Sequence, residues 1–142
     1  MTAKQLSVFI ENRQGRLSEV LDVLKKNDVS IISLSLADTT EYGLLRLIVN
    51  NPEQGKEQLS KAGFSSLLSD VLIIKIPHVA GSLQSVLKEI EKEDVNIEYM
   101  YGLSIESEQA YVVLKASDAQ KTSKVLERNG IATLLPDQLA NF

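Results

Sequence analysis

The chain has 142 residues and a formal charge of −4, with 44% hydrophobic, 24% charged and 5% aromatic residues. That length fits one ordinary domain or two small ones, and the acidic balance argues against nucleic acid, whose binding needs clustered Lys and Arg. There is no cysteine and one histidine, His78, so disulfides, thiolate chemistry, a His-based triad and Cys- or His-rich metal sites are excluded within one chain. No apolar run approaches the ~20 residues of a membrane span, and Met1-Thr2-Ala3-Lys4-Gln5 starts no signal peptide. A cytoplasmic globular protein with no membrane partner is expected.

Leu6, Val8 and Ile10 alternate with Gln5, Ser7 and Phe9, the period of a strand. After the turn Asn12-Arg13-Gln14-Gly15, Leu17, Val20, Leu21 and Leu24 fall on one stripe of an amphipathic helix. Residues 31–36 and 44–49 predict a hairpin, with turn residues at 38–43. Pro52 and Glu53 open a second helix that Gly63 ends, and residues 65–69 predict a closing strand. The plan then repeats. A strand at 71–76 ends at Pro77, and Leu83, Val86, Leu87 and Ile90 form the next helical stripe. Strands at 97–105 and 110–116 flank Glu106-Ser107-Glu108-Gln109; a helix at 119–129 ends at Gly130, and a strand follows at 131–135.

The repetition extends to residues. Gly15 to Ile31 aligns without a gap on Gly81 to Ile97, with identities at Gly15/Gly81, Leu17/Leu83, Val20/Val86, Leu21/Leu87, Lys26/Lys92, Asp28/Asp94, Val29/Val95 and Ile31/Ile97. After a one-residue slip, Leu59-Ser60-Lys61-Ala62-Gly63-Phe64 meets Leu126-Glu127-Arg128-Asn129-Gly130-Ile131. Two copies are too few for a solenoid, so the expectation is a duplicated domain, residues 1–69 and 70–142. The β-α-β-β-α-β order is the ferredoxin-like split unit: an α+β fold with an antiparallel sheet and two helices on one face. Phe9, Val71 and Ile73 lie opposite the core-facing positions of the first strands. They predict an apolar patch that a homodimer buries, the segment 136–142 being too short to cover it.

Neither a Gly-x-x-x-x-Gly-Lys loop nor a Gly-x-Gly-x-x-Gly run is present, and the carboxylates of residues 89–94, Glu106 and Glu108 read as solvated. No catalytic residue, metal site or cofactor is expected. The informative places are the turns before the first helix of each copy. Gly15 or Gly81 lets a backbone pass close to a ligand, and the helix-start N–H groups suit a carboxylate. Asn12 offers both donor and acceptor. A zwitterionic amino acid needs this combination, whereas Arg13 and Arg16 read as solvated arginines.

Here the sequence resembles the ACT domain, an amino-acid-sensing module of biosynthetic enzymes. Glu11-Asn12-Arg13-Gln14-Gly15-Arg16-Leu17 is similar to the Glu-Asn-Arg-Pro-Gly-x-Leu turn of the regulatory domain of phosphoglycerate dehydrogenase, with Gln14 in place of proline. The resemblance implies a tandem ACT protein, non-catalytic, that binds a free amino acid between ACT domains. It places an effector contact at Asn12 and a second, from the neighbouring domain, at the position of Ser30 or Asn96. Asn12 with Asn96 makes one site; His78 with Ser30, beside Gly81, makes a poorer one, because Pro77-His78-Val79-Ala80 departs from the motif. Ser33 and Ser35 of the first copy, and Tyr99 and Tyr101 with Met100 between them at the matching positions of the second, are expected to shape selectivity. The implied partners are the amino acid, a second copy and a biosynthetic enzyme in trans. The alternative is a stand-alone regulatory or assembly subunit that docks on such an enzyme without a ligand. An RNA-recognition reading fails, since Phe9 and Tyr111 are the only aromatics on first and third strands of an acidic chain.

Overall fold

The computed structural model describes residues 2–38 and 41–142. The chain divides into two compact units, Lys4–Ser69 and, with Thr2 and Ala3, Asp70–Phe142. In the first unit β1 (Ala3–Glu11), α1 (Arg16–Lys26), β2 (Ile31–Asp38), β3 (Tyr42–Val49), α2 (Pro52–Lys61) and the start of β4 (Ser65–Pro77) follow in order. The second unit uses the rest of β4, then α3 (Ser82–Glu91), β5 (Ile97–Ile105), β6 (Gln109–Ala116), α4 (Ala119–Arg128) and the short β7 (Ala132–Thr133). A 3-10 helix, Pro136–Asn141, closes it. The strand orders are β2-β3-β1-β4 and β7-β4-β6-β5. This is the predicted α+β plan of antiparallel strands and four helices.

Each core sits between helices and one sheet face. Leu6, Val8 and Ile10 of β1 pack with Leu45 and Leu47 of β3, Val20 and Leu24 of α1, and Leu59 of α2. Leu72, Ile74 and Ile76 of β4 pack with Leu114 of β6, Val86 and Ile90 of α3, and Leu126 of α4. The apolar stripes foresaw these sets because period-2 and period-3.6 patterns select single faces. Helix ends repeat as well. Gly63 (φ 89°) and Gly130 (φ 68°) take the left-handed conformation after α2 and α4. Phe64 N–H donates to Leu59 O and Ile131 N–H to Leu126 O, both at 2.9 Å, closing matching C-terminal turns. Asp28 (φ 60°) and Asp94 (φ 57°) share the same conformation after α1 and α3. Asn51 and Asp118 cap α2 and α4 by accepting from Gln54 N and Lys121 N.

The one-residue slip has a local cause. The β2–β3 pairing shifts register once, between Ile31 and Ser33, and the β5–β6 pairing shifts at the equivalent Ile97/Tyr99. A second shift, between Gly102 and Ser104, occurs in β5. The extra residue of the second copy is absorbed there as a bulge, which adds a residue without changing which side chains face the core elsewhere.

Three expectations are corrected. Residues 65–69 and 71–76 belong to one 13-residue strand, Ser65–Pro77, which runs straight through Ser69-Asp70 instead of turning there. The closing strand at 131–135 shrinks to Ala132–Thr133, paired with Lys75 and Ile74. The apolar patch is not there: Val71 and Ile73 are 1% and 0% exposed in the single chain, and only Phe9, at 44%, remains open. The C-terminal segment reaches the face judged too wide for it, since the Phe142 ring meets Tyr111 edge-on at 5.0 Å and Leu139 is buried. On β1 the positions beside Phe9 are polar and buried, Gln5 donating to the Ser7 hydroxyl at 3.0 Å.

Candidate functional site

Both turns are built by backbone bonds that hold a glycine at positive φ. In the first, Asn12 N–H donates to Glu41 O at 3.0 Å, Arg13 N–H to Glu11 O at 2.8 Å and Arg16 N–H to Arg13 O at 3.3 Å. Gly15 then caps α1 with φ 88°, and no side chain bonds to the helix start. In the second, His78 N–H donates to Glu108 O at 2.9 Å and Ser82 N–H to Val79 O at 3.2 Å. Gly81 caps α3 with φ 86°, again with no side-chain cap. Orphan N–H groups at a helix start carry partial positive charge and are a ready place for a carboxylate. A β-carbon at φ near +87° is strained, which explains the glycine in both copies.

The side chains around the two turns differ. Asn12, Arg13, Gln14 and Gly15 are all exposed, and Arg13 pairs with Glu11 at 3.1 Å. Arg16 does not behave as the solvated arginine expected. Its side chain is 16% exposed, its guanidinium pairs with Glu19 at 2.6 Å, and Cζ lies 4.2 Å from the centroid of the Phe64 ring. A desolvated guanidinium over an aromatic face gains both packing and quadrupole attraction. Leu17, next to it, is 37% exposed. Glu19 also brings an acidic group into the first turn of α1, whereas α3 has none there. His78 is exposed, with Nδ1 at 3.1 Å from Glu106 O.

Ser30 and Asn96 occupy one position in the repeat and are held alike. Ser30 N–H donates to Asn50 Oδ1 at 2.9 Å and Asn50 N–H returns to Ser30 O at 3.1 Å. Asn96 N–H donates to Ser117 Oγ at 3.0 Å and Ser117 N–H returns to Asn96 O at 2.8 Å. These bonds use backbone and leave both side chains at the exposed surface. Each residue lies at the far end of the helix from its own turn, and helices of 10 or 11 residues span about 15 Å. Neither unit by itself therefore gathers turn and asparagine position into one site. Tyr99 and Tyr101 share a face of β5, ring centroids 6.5 Å apart, with Met100 on the other, as the alternation required.

A feature not read from the sequence lies behind the second turn. A hollow of about 490 Å³ opens between the end of β4, the start of α3 and the end of α4. Its lining includes Lys75, Ile76, Ser82, Ser85, Glu89 and Ile131. The signal was available in the match between the two copies, where Arg16, Glu19 and Phe64 become Ser82, Ser85 and Ile131, three large side chains replaced together. Another hollow, of about 800 Å³, lies between α4 and the 3-10 helix, away from both turns. Among the described residues no His/Cys/Asp/Glu group has metal-binding geometry, and no helix is long and apolar enough to cross a membrane.

The sequence profile described as ACT domain pair matches residues 1–142. A solved structure, protein BT0572 from Bacteroides thetaiotaomicron, is 37% identical and superposes with a TM-score of 0.95 over 100% of this chain and 98% of that one. The ligand-free regulatory subunit of aspartate kinase from Thermus thermophilus shares the fold at 14% identity, with a TM-score of 0.62 over 88% of this chain and 91% of that one. Aspartokinase alpha and beta subunits match at 12% identity and a TM-score of 0.56, over 89% and 95% of the two chains. No curated protein sequence matches the chain.

Proposed function

The chain belongs to the ACT domain pair family, and from that premise we propose that it is a non-catalytic regulatory protein that binds a free α-amino acid. The observation that carries this reading is the pair of helix starts at Gly15 and Gly81, each at positive φ and neither capped by a side chain. Uncapped N–H groups favour the ligand's carboxylate, while Asn12 supplies amide donor and acceptor for its polar end. Asn96, exposed at the end of α3, is the second contact when another ACT unit brings it to such a turn. Arg13, Gln14, Arg16 and Leu17 frame the first turn; His78 and Gly81 frame the second, with Ser30 as the weaker counterpart of Asn96. Tyr99 contributes to side-chain selectivity.

The proposed partners are a second copy of the chain and, in trans, an enzyme of amino-acid biosynthesis. Leu34 and Leu36 on β2, 52% and 49% exposed, are apolar surface that a second copy would cover. The fold relative from Thermus thermophilus is a regulatory subunit of aspartate kinase, which supports regulation in trans as the class of role. A thermal-shift panel of the twenty amino acids, followed by titration calorimetry, tests the reading, because a ligand of the native state raises its melting temperature. At least one amino acid is expected to shift it, and Asn12→Ala to weaken binding about tenfold, the worth of one hydrogen bond to a charged group. No shift with any amino acid at millimolar concentration would leave the docking subunit without a ligand as the reading that stands.

A further inference from the structure

The sheet faces turned away from the helices differ between the repeats in what covers them. In the first unit Ala37, Leu44 and Phe9 lie side by side across β2, β3 and β1, with Tyr42 beside Glu11 in the next row. The matching row of the second unit is Ser104, Tyr111 and Lys75 across β5, β6 and β4. Both are outer faces, because the alternate residues Ile10, Leu45, Ile76 and Ala110 lie in the cores. Tyr111 is 9% exposed, with the Phe142 ring edge-on against it at 5.0 Å. Phe9 and Tyr42 are 44% and 56% exposed, and Leu44 is half-buried. The more apolar row is the open one, for Phe9 stands where the second unit has Lys75.

The cause lies in the path of the chain. Ser65-Ser66 matches Ala132-Thr133 in the repeat. Past Thr133 the chain leaves the sheet and enters the 3-10 helix Pro136–Asn141. Phe142 N–H donates to Leu139 O at 3.2 Å, and this three-residue turn stacks the two side chains on one side. Past Ser66 the chain stays extended to Pro77, and among the described residues no segment of the first unit returns over the row. Leu139 is buried, but Phe142 remains 45% exposed. Each copy therefore carries a half-exposed ring and a half-exposed aromatic row, and edge-on ring packing is the contact that the matching row already makes.

We propose that Ala37, Leu44, Phe9 and Tyr42 form a docking surface for a second copy of this chain, which seats its Phe142 there. In a closed pair the contact is made twice, each copy giving a ring and receiving one. The proposal rests on the second copy of the functional reading above and says where it binds. The surface is separate from Leu34 and Leu36, which pair with the core-facing Leu47 and Leu45 and so lie on the helix side of β2.

Sedimentation equilibrium of the full-length chain across the micromolar range tests this. Phe9→Lys, which copies the second unit, and Phe142→Ala should each weaken self-association at least tenfold. The double variant should lose little more, since both changes remove one contact. Leu34→Lys, on the opposite face, probes the other apolar surface separately. In a sample mixing labelled and unlabelled copies, the Phe142 ring should show an intermolecular NOE to the Leu44 methyls. If Phe9→Lys does not fold, Phe142→Ala and the NOE still decide. A monomer throughout, a dimer that either aromatic variant leaves intact, or a dimer without that NOE overturns the surface. Dissociation by Leu34→Lys alone keeps the second copy and overturns this site for it; amino-acid binding by a monomer keeps the ligand and overturns the pairing.

Discussion

In the first repeat the residue after the turn glycine is Arg16, laid on Phe64 and paired with Glu19; in the second it is Ser82, beside Ser85 and Ile131, and the space stays open. Around that difference nearly everything else recurs: the glycines at φ 88° and 86°, the aspartates at φ 60° and 57°, and the capped starts of α2 and α4. Even a tie between elements is repeated with different chemistry. Gln54 Nε2 donates to Asn27 O at 3.2 Å, and at the matching place Lys121 Nζ donates to Glu93 O at 3.0 Å. Duplicated residues that set backbone geometry have stayed in step. Those that only fill space beside the turn have not, and two like scaffolds now present unlike surfaces.

If the two cores are equivalent, Leu59→Ala and Leu126→Ala should each destabilise by about 2–5 kcal/mol, because both leucines are fully buried at matching positions. Urea unfolding of each variant measures this; a loss well under about 2 kcal/mol at one position only would show that one repeat repacks where the other cannot. The turn glycines should come next. Gly15→Ala and Gly81→Ala force a β-carbon into the left-handed region, at a cost of about 1–2 kcal/mol. The costs should agree, since a β-carbon at Gly81 meets nothing within 4 Å and at Gly15 only Glu19 Oε1 at 4.0 Å. Unequal losses would mean that one turn carries strain beyond its φ.

The contact that separates the repeats should be measurable as a coupling. A double-mutant cycle of Arg16→Met and Phe64→Leu is expected to give about 0.5–1 kcal/mol, the range for a partly exposed cation over a ring. The same cycle at Ser82 and Ile131 should give none, having no cation to lose.

The smallest effect concerns an ion pair found in the second unit, where Arg128 lies 2.8 Å from Glu93. The first unit places Lys61 and Asn27 there instead, and Lys61 pairs with Glu57. The hydrogen bond from Arg128, then its charge, holds the Glu93 carboxyl below its ordinary value of 4.5. A depressed carboxylate stabilises the folded state above the unfolded value, and that contribution disappears as pH falls through the lower folded value. Arg128→Ala should return the Glu93 titration, followed by NMR, to the ordinary range. Stability should change little, the pair being exposed.

Most of the fold was legible because its signals are local. Strand alternation at Leu6, Val8 and Ile10, the helical stripe at Leu83, Val86, Leu87 and Ile90, and the stops at Gly63 and Gly130 each depend on a few neighbouring residues. Comparison of the copies also located the slip, though not its form, the bulge at Gly102/Ser104. Of the site, the turn conformation was legible, because an uncapped glycine before an amphipathic stripe has few other uses.

The sequence by itself determined the duplicated β-α-β-β-α-β plan, the two cores and the left-handed glycine turns, all consequences of periodicity and of which residues tolerate positive φ. Tertiary structure alone decided what fills and covers. Arg16 reads as a surface charge until Phe64, 48 residues on, is laid beneath it. Val71 and Ile73 read as an exposed patch, yet the folded chain buries both, with Phe142 seated against Tyr111 on the same sheet face. Burial is set by residues distant in sequence, so no local pattern carries it, and the open hollow behind Gly81 follows from that same long-range packing.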